Sequence, residues 1–168
     1  MTTASRSGRP TTHQRTANPA SAASSTASSD AVRRRMQAQR TRDTSPELAI
    51  RRVLHARGLR YRVDHAPVTG LRRRADVVFT RARLAVFIDG CFWHGCPDHG
   101  RTPRTNSYYW AAKIAANRAR DEDTTMRMTQ QGWRVLRIWE HEPVHEAVRR
   151  ICDRLGAPTR DARVITEL

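Results

Sequence analysis

The chain has 168 residues and a formal net charge of +15, from 31 arginines and lysines against 16 acids, which fits one domain with a tail. Nearly all the cations are arginine, Lys113 being the sole lysine; arginine forks phosphate and stacks on bases, so a polyanionic partner, most simply DNA or RNA, is expected, with a general arginine preference accounting for part of the charge. No run approaches the ~18 apolar residues that span a bilayer, and the N-terminus has no secretory apolar core. This argues against a membrane or exported protein and for a cytoplasmic, nucleoid-associated one, in which three cysteines serve metals or stay free thiols rather than forming disulfides.

Residues 1–30 are mostly Ser, Thr, Ala, Arg and Gly with no aromatic side chain. They cannot bury enough surface to offset their ordering entropy, and a disordered tail is expected. Arg33, Arg34, Arg35, Arg40 and Arg42 follow around Met36, reading either as an arm along a phosphate backbone or as a solvated charge run. Residues 31–156 read as one domain and 157–168 as a second tail.

Thr44-Ser45-Pro46-Glu47 opens a helix: proline suits the first turn, and Thr44 and Glu47 have capping-box spacing. Ile50, Val53 and Leu54 give it an apolar stripe, and Gly58 ends it. Leu59, Tyr61 and Val63 alternate with arginines and predict a strand. After a loop over 64–74, ADVVF (75–79) and LAVFID (84–89) predict two strands joined by a turn, with Asp76 near the start of one and Asp89 at the end of the other. Two adjacent carboxylates of this kind suit a hard divalent cation; for either acid alone, strand capping or an arginine partner is the plainer reading. A long helix spans 107–131, with Asn106 as its cap and Gly132 as its stop. Trp110, Lys113, Ile114 and Asn117 share one face of it, a face toward core or toward DNA. WRVLRIW (133–139) predicts a strand, central in its sheet because it is so apolar, and a last helix covers 143–155. The order helix, strand, strand, strand, helix, strand, helix implies a mixed α/β sheet flanked by helices around one core.

Residues 87–110, FIDGCFWHGCPDHGRTPRTNSYYW, concentrate the chemistry. Cys91, Cys96 and His99 are spaced as Cys-x4-Cys-x2-His, and thiolate and imidazole suit a tetrahedral zinc. Gly90, Gly95, Pro97 and Gly100 break the stretch into turns, which leaves little core for cysteines to fill. A fourth ligand must come from downstream: His141 or Cys152, with His145 behind them. Phe92, Trp93 and His94 lie inside the ring of ligands, so a bound metal fixes where they point.

The chain resembles the Vsr family, the very-short-patch repair DNA mismatch endonucleases, from about Arg40 to Arg150. The resemblance rests on TRDTSPEL, ADVVF, FIDGCFWHGCPDHG, PRTNSYYWAAKIAANRARD and GWRVLRIWEHE, in that order and spacing. It implies a restriction-endonuclease-like core related to the PD-(D/E)xK nucleases, a structural zinc, Mg²⁺-dependent cleavage, and nicking of one strand beside a T:G mismatch left by 5-methylcytosine deamination. Asp76 matches the family's metal-binding aspartate, His94 its catalytic histidine, and Glu47 the glutamate thought to assist that histidine. Phe92, Trp93 and Trp110 match aromatics that wedge between bases, with Lys113, Asn117 and Met36 as further DNA contacts. Cys91, Cys96, His99 and His141 become the zinc ligands, although the family's best-known member has cysteine at the His141 position and a different histidine-cysteine order after CFWH. Where that member has threonine and histidine this chain has Ile88 and Asp89: the Ile88 carbonyl can still serve the magnesium, and Asp89 could add a second carboxylate, as in the wider PD-(D/E)xK nucleases. The expected partner is double-stranded DNA with a T:G mismatch, with a MutL-type repair protein as a further candidate and a monomer as the expected state.

Two other functions fit many of the same residues: a nuclease of this fold with a different target, and a zinc-braced DNA-binding module that does not cut. A mere binder has no use for Glu47, Asp76 and His94 together. Hydrolysis does, since a cation on Asp76 neutralises the phosphate and a near-neutral imidazole takes the proton of water.

Overall fold

The computed structural model describes residues 42–101, 103, 104 and 106–156. The expected tails (1–30 and 157–168), the arginines from Arg33 to Arg40 and Met36 lie outside the described residues.

Helix α1 spans Ser45–Ala56 and buries Ile50 and Leu54. Its capping box takes a modified form. The Thr44 side chain makes no bond to the helix backbone; its hydroxyl donates to Glu47 Oε1 at 2.8 Å, and Glu47 Oε2 accepts the Asp43 N–H at 3.0 Å. Gly58, at φ +74°, turns the chain out of the helix.

Strand β1 covers Arg62–His65, later than the alternation from Leu59 to Val63 predicts. Leu59 and Tyr61 are instead a lead-in packed against the core, Tyr61 anchored by its hydroxyl donating to the Arg51 carbonyl at 2.7 Å. Packing against one face gave them a strand-like pattern without a ladder. Strands β2 (Ala75–Phe79) and β3 (Leu84–Asp89) form the expected antiparallel hairpin. Helix α2 (Ser107–Gln130) crosses over to β4 (Arg134–Trp139), which pairs parallel to β3, and α3 (Val144–Leu155) closes the described chain. Parallel neighbours need such a long crossover. Asn106 precedes α2 in the left-handed region, at φ 56°, and gives no side-chain cap, contrary to expectation.

The sheet order is β1-β2-β3-β4, which puts β4 at an edge rather than in the centre. Its apolar character has another cause: helices cover it on both faces. Leu136 and Ile138 pack with Ile50 and Leu54 of α1 and Val148 and Ile151 of α3. On the opposite face Val135 joins a smaller cluster with Val78, Ala85 and Met128 of α2. The protein is thus mixed α/β, with α1 and α3 on one face of the sheet and α2 on the other. Among the described residues no helix is long and apolar enough to cross a membrane.

Two features of this topology position the site. The β2–β3 hairpin brings the start of β2 and the end of β3 to one end of the sheet, so Asp76 and Asp89 meet there. The parallel β3–β4 pair, in register from Leu84↔Arg134 to Asp89↔Trp139, sends the loop after Asp89 and the turn after Trp139 out side by side.

Candidate active site and metal centre

A cleft of about 500 Å³ opens at that end of the sheet, lined by Glu47, Asp76, Ile88, Asp89, His94 and Asp121 among others. The β2–β3 ladder stops at Val77↔Val86, and beyond it the Asp76 side chain accepts the Ile88 N–H on Oδ2 at 2.7 Å. Burial pushes Asp76 up to about 6 against that hydrogen bond, and the charges of Glu47, Asp89 and Asp64 add to the rise. No cationic side chain among the described residues lies within ion-pair distance of it. A carboxylate so placed is short of positive charge, which is the condition a hard cation relieves.

The other cleft acids are already paired. Asp89 is 5% exposed and takes Arg137 on both oxygens, Nε on Oδ2 and Nη2 on Oδ1, each at 2.6 Å. Its expected place as a second metal carboxylate competes with that fork, and the arginine-paired alternative fits the geometry better. Glu47 spends its oxygens on Thr44 and the Asp43 N–H and has Arg51 at 3.9 Å. The partner of His94 is Asp121: Nδ1 lies 2.6 Å from Asp121 Oδ2. Sequence reasoning passed over Asp121, although it sits eleven residues after Trp110 and four after Asn117, on the helix face already singled out. With Nδ1–H given to a carboxylate, the neutral ring keeps Nε2 as its free base.

Beside the cleft, Cys91, Cys96, His99 and His141 bring one donor atom each to within 4.8 Å of one another. Tetrahedral zinc, with about 2.0–2.3 Å to nitrogen and sulfur, sets neighbouring donors roughly 3.3–3.8 Å apart; Cys96 Sγ to His141 Nδ1, at 3.7 Å, falls in that range, with Cys91 Sγ to His141 Nδ1 at 3.0 Å and Cys96 Sγ to His99 Nδ1 at 3.9 Å on either side of it. The donor set therefore fits a Cys2His2 centre. Burial, then Cys96 and Glu140, push the Cys91 thiol up to about 11, so ligation would release a proton. The other downstream candidates lie elsewhere. Cys152 is core, 2% exposed, with Arg57 Nη1 donating to its sulfur at 3.6 Å; His145 is exposed, 4.0 Å from Glu146. Glu140 ties the centre to the cleft by accepting the Cys91 N–H at 2.6 Å.

The loop holding His94 is clamped by α2. Asn117 Nδ2 donates to the Trp93 carbonyl at 2.8 Å, and Arg118 donates to the carbonyls of His94 and Gly95. Phe92, Trp93 and Trp110 stand edge to face, at 5.0 Å for Phe92–Trp93, 5.2 Å for Phe92–Trp110 and 6.1 Å for Trp93–Trp110. Lys113 Nζ lies 5.8 Å from the Trp93 ring. The structure thus collects the other expected aromatics, Lys113 and Asn117 around Trp93, which lines the cleft.

The family model for the DNA mismatch endonuclease Vsr matches residues 27–99. A Type II nicking enzyme, V.NaeI of Lentzea aerocolonigenes, is 49% identical over 124 residues, covering 73% of this chain and 75% of that protein. The chain belongs to the Vsr family. It is a DNA endonuclease, as membership implies. Other Vsr relatives include the Type II nicking enzyme V.XorIIP of Xanthomonas oryzae pv. oryzae, 42% identical over 108 residues, covering 64% of this chain and 77% of that one. The DNA mismatch endonuclease Vsr of Escherichia coli is 38% identical over 106 residues, covering 62% of this chain and 66% of that one.

Proposed function

We propose that this Vsr-family protein is a Mg²⁺-dependent endonuclease that nicks one DNA strand beside a T:G mismatch, on a restriction-endonuclease-like core braced by zinc. The observation that carries the reading is one cleft, lined by Asp76, His94 and Trp93, in which Asp76 has no cationic partner among the described residues and His94 is held by the Asp121 carboxylate. Asp76, with the Ile88 carbonyl, is the proposed magnesium site; Cys91, Cys96, His99 and His141 are the proposed zinc ligands. Magnesium, when bound, supplies the charge that neutralises the scissile phosphate. His94 Nε2 takes the proton of the attacking water, and Asp121 holds the imidazole in the tautomer that leaves Nε2 free. Glu47, fixed through Thr44 and Asp43, lines the same cleft as a second acceptor for ordered water. Phe92, Trp93 and Trp110 enter the base stack, where unstacking costs a few kcal/mol and least at a poor pair. Lys113 and Asn117 follow them to the DNA. The names of the relatives, nicking enzymes and a mismatch endonuclease, support both halves of the reading. The reading also puts the enzyme with chromosomal DNA in the cytoplasm.

Labelled T:G and matched T:A duplexes, incubated with the protein and Mg²⁺, test it. A nick in one strand of the T:G duplex alone is expected. Cutting of both strands, or of matched DNA equally well, would point to the nuclease with another target, and tight binding without cleavage to the non-cutting module.

A further inference from the structure

The cleft holds an arginine that the proposed chemistry does not use. Arg137 lies on β4, with its guanidinium on the α2 side of the sheet and 5.0 Å from the Phe87 ring. Besides forking Asp89 at 2.6 Å through Nε and Nη2, it reaches Asp121 Oδ1 through Nη2 at 2.9 Å. Asp121 gives its other oxygen, Oδ2, to His94 Nδ1 at 2.6 Å. We propose that Arg137 is a positioning residue for strand cleavage: it locks the Asp121 carboxylate in the rotation that presents Oδ2 to His94, and draws Asp89 away from the same imidazole. The proposal rests on His94 as the proton acceptor.

Two arguments support it beyond the distances. Asp89 Oδ1 stands only 3.8 Å from His94 Nδ1, so two carboxylates compete for one N–H. With Asp89 bound by a two-toothed fork, Asp121 wins, and the ring has one orientation instead of two. Stability alone is a poor reason for an arginine here. Ion pairs of this kind are often replaced by apolar side chains without loss.

Arg137→Met alone leaves Asp89 buried and unpaired and is expected to damage the fold. The decisive comparison, in the full zinc-loaded chain, is Asp89→Asn against the pair Asp89→Asn/Arg137→Met. Both should melt together and bind the T:G duplex alike. Single-turnover nicking at saturating duplex should fall on the order of 10²-fold in the pair relative to Asp89→Asn, the scale of a lost alignment. The low-field Nδ1 proton resonance of His94, present in wild type and in Asp89→Asn, should vanish in the pair. Arg137→Lys in the Asp89→Asn background should recover part of the rate, since an ammonium can still meet one oxygen. A pair that nicks at the Asp89→Asn rate with the resonance intact overturns the proposal. If wild type fails to nick T:G duplexes at all, the functional reading fails separately, and the resonance alone decides the role of Arg137.

Discussion

Asp76 holds its proton to about pH 6 because it is buried among other acids, and this gives it two measurable signatures. An acid whose folded pKa is raised above its unfolded value favours the fold at low pH; that contribution is full below about pH 3.9 and is lost as pH climbs through the folded value. In magnesium-free buffer at pH 8, Asp76→Asn should therefore be more stable than wild type, by up to about 2–3 kcal/mol, with the gap closing near pH 4. Equal melting temperatures at pH 8 would show that the charge costs nothing there. The same variant should bind a T:G duplex but not nick it, and retained nicking would remove Asp76 from the site. His94→Ala should slow nicking ~10²–10⁴-fold at unchanged duplex affinity, the usual loss of a general base. Asp76, His94 and the aromatics were legible because each stands in a short segment of unusual composition. Asp121 and Arg137 were not: one is hidden in the charge-rich run RARDED and the other in an alternating strand, where an arginine reads as solvent-facing. Their meaning is a contact between elements 16 residues apart in sequence, and periodicity carries no record of it.

The loop from Gly90 to Gly100 works as an element only because α2 holds it. Gly95 sits at φ +63°, and a Cβ there would fall 2.7 Å from Ile114 Cγ2 and 2.9 Å from Arg118 Nε. Gly95→Ala should thus cost about 1–3 kcal/mol and push the loop off the helix, slowing nicking and weakening the preference for T:G together. A melt and a paired T:G/T:A binding assay check this; an alanine variant indistinguishable from wild type in both would mean the clamp is dispensable. At this scale the sequence reading did well where one element's own chemistry decides. Both strands of the β2–β3 hairpin and the span of α2 follow from short apolar runs, the turn between them and Gly132. It erred where tertiary packing decides, at the lead-in to β1 and at the edge position of β4, because burial by two helices looks in sequence like burial between two strands.

Over the whole molecule the charge of +15 should make duplex binding fall steeply with salt. Deleting residues 1–30 should leave folding and nicking intact, since that composition cannot build a core; a truncated chain that fails to fold would move the domain boundary. Metal analysis should find about one zinc per chain, and Cys91→Ser or Cys96→Ser should unfold the domain, because binding energy at such a site is folding energy. The separation of Cys91 from His141 by 50 positions gives that centre a wider reach. A cation held by both closes a covalent-like ring of chain, and a cross-link of this span removes roughly 4 kcal/mol of unfolded-state entropy. His94, Asp121, Arg137 and the aromatics Phe92, Trp93 and Trp110 all hang inside the ring, while Glu47, Asp76, Ile88 and Asp89 lie outside it. Stripping the cation should then behave as a knot untied rather than a dial turned down: proton acceptor, wedge and fold should go in a single step, and titrating zinc back should restore all three along one curve.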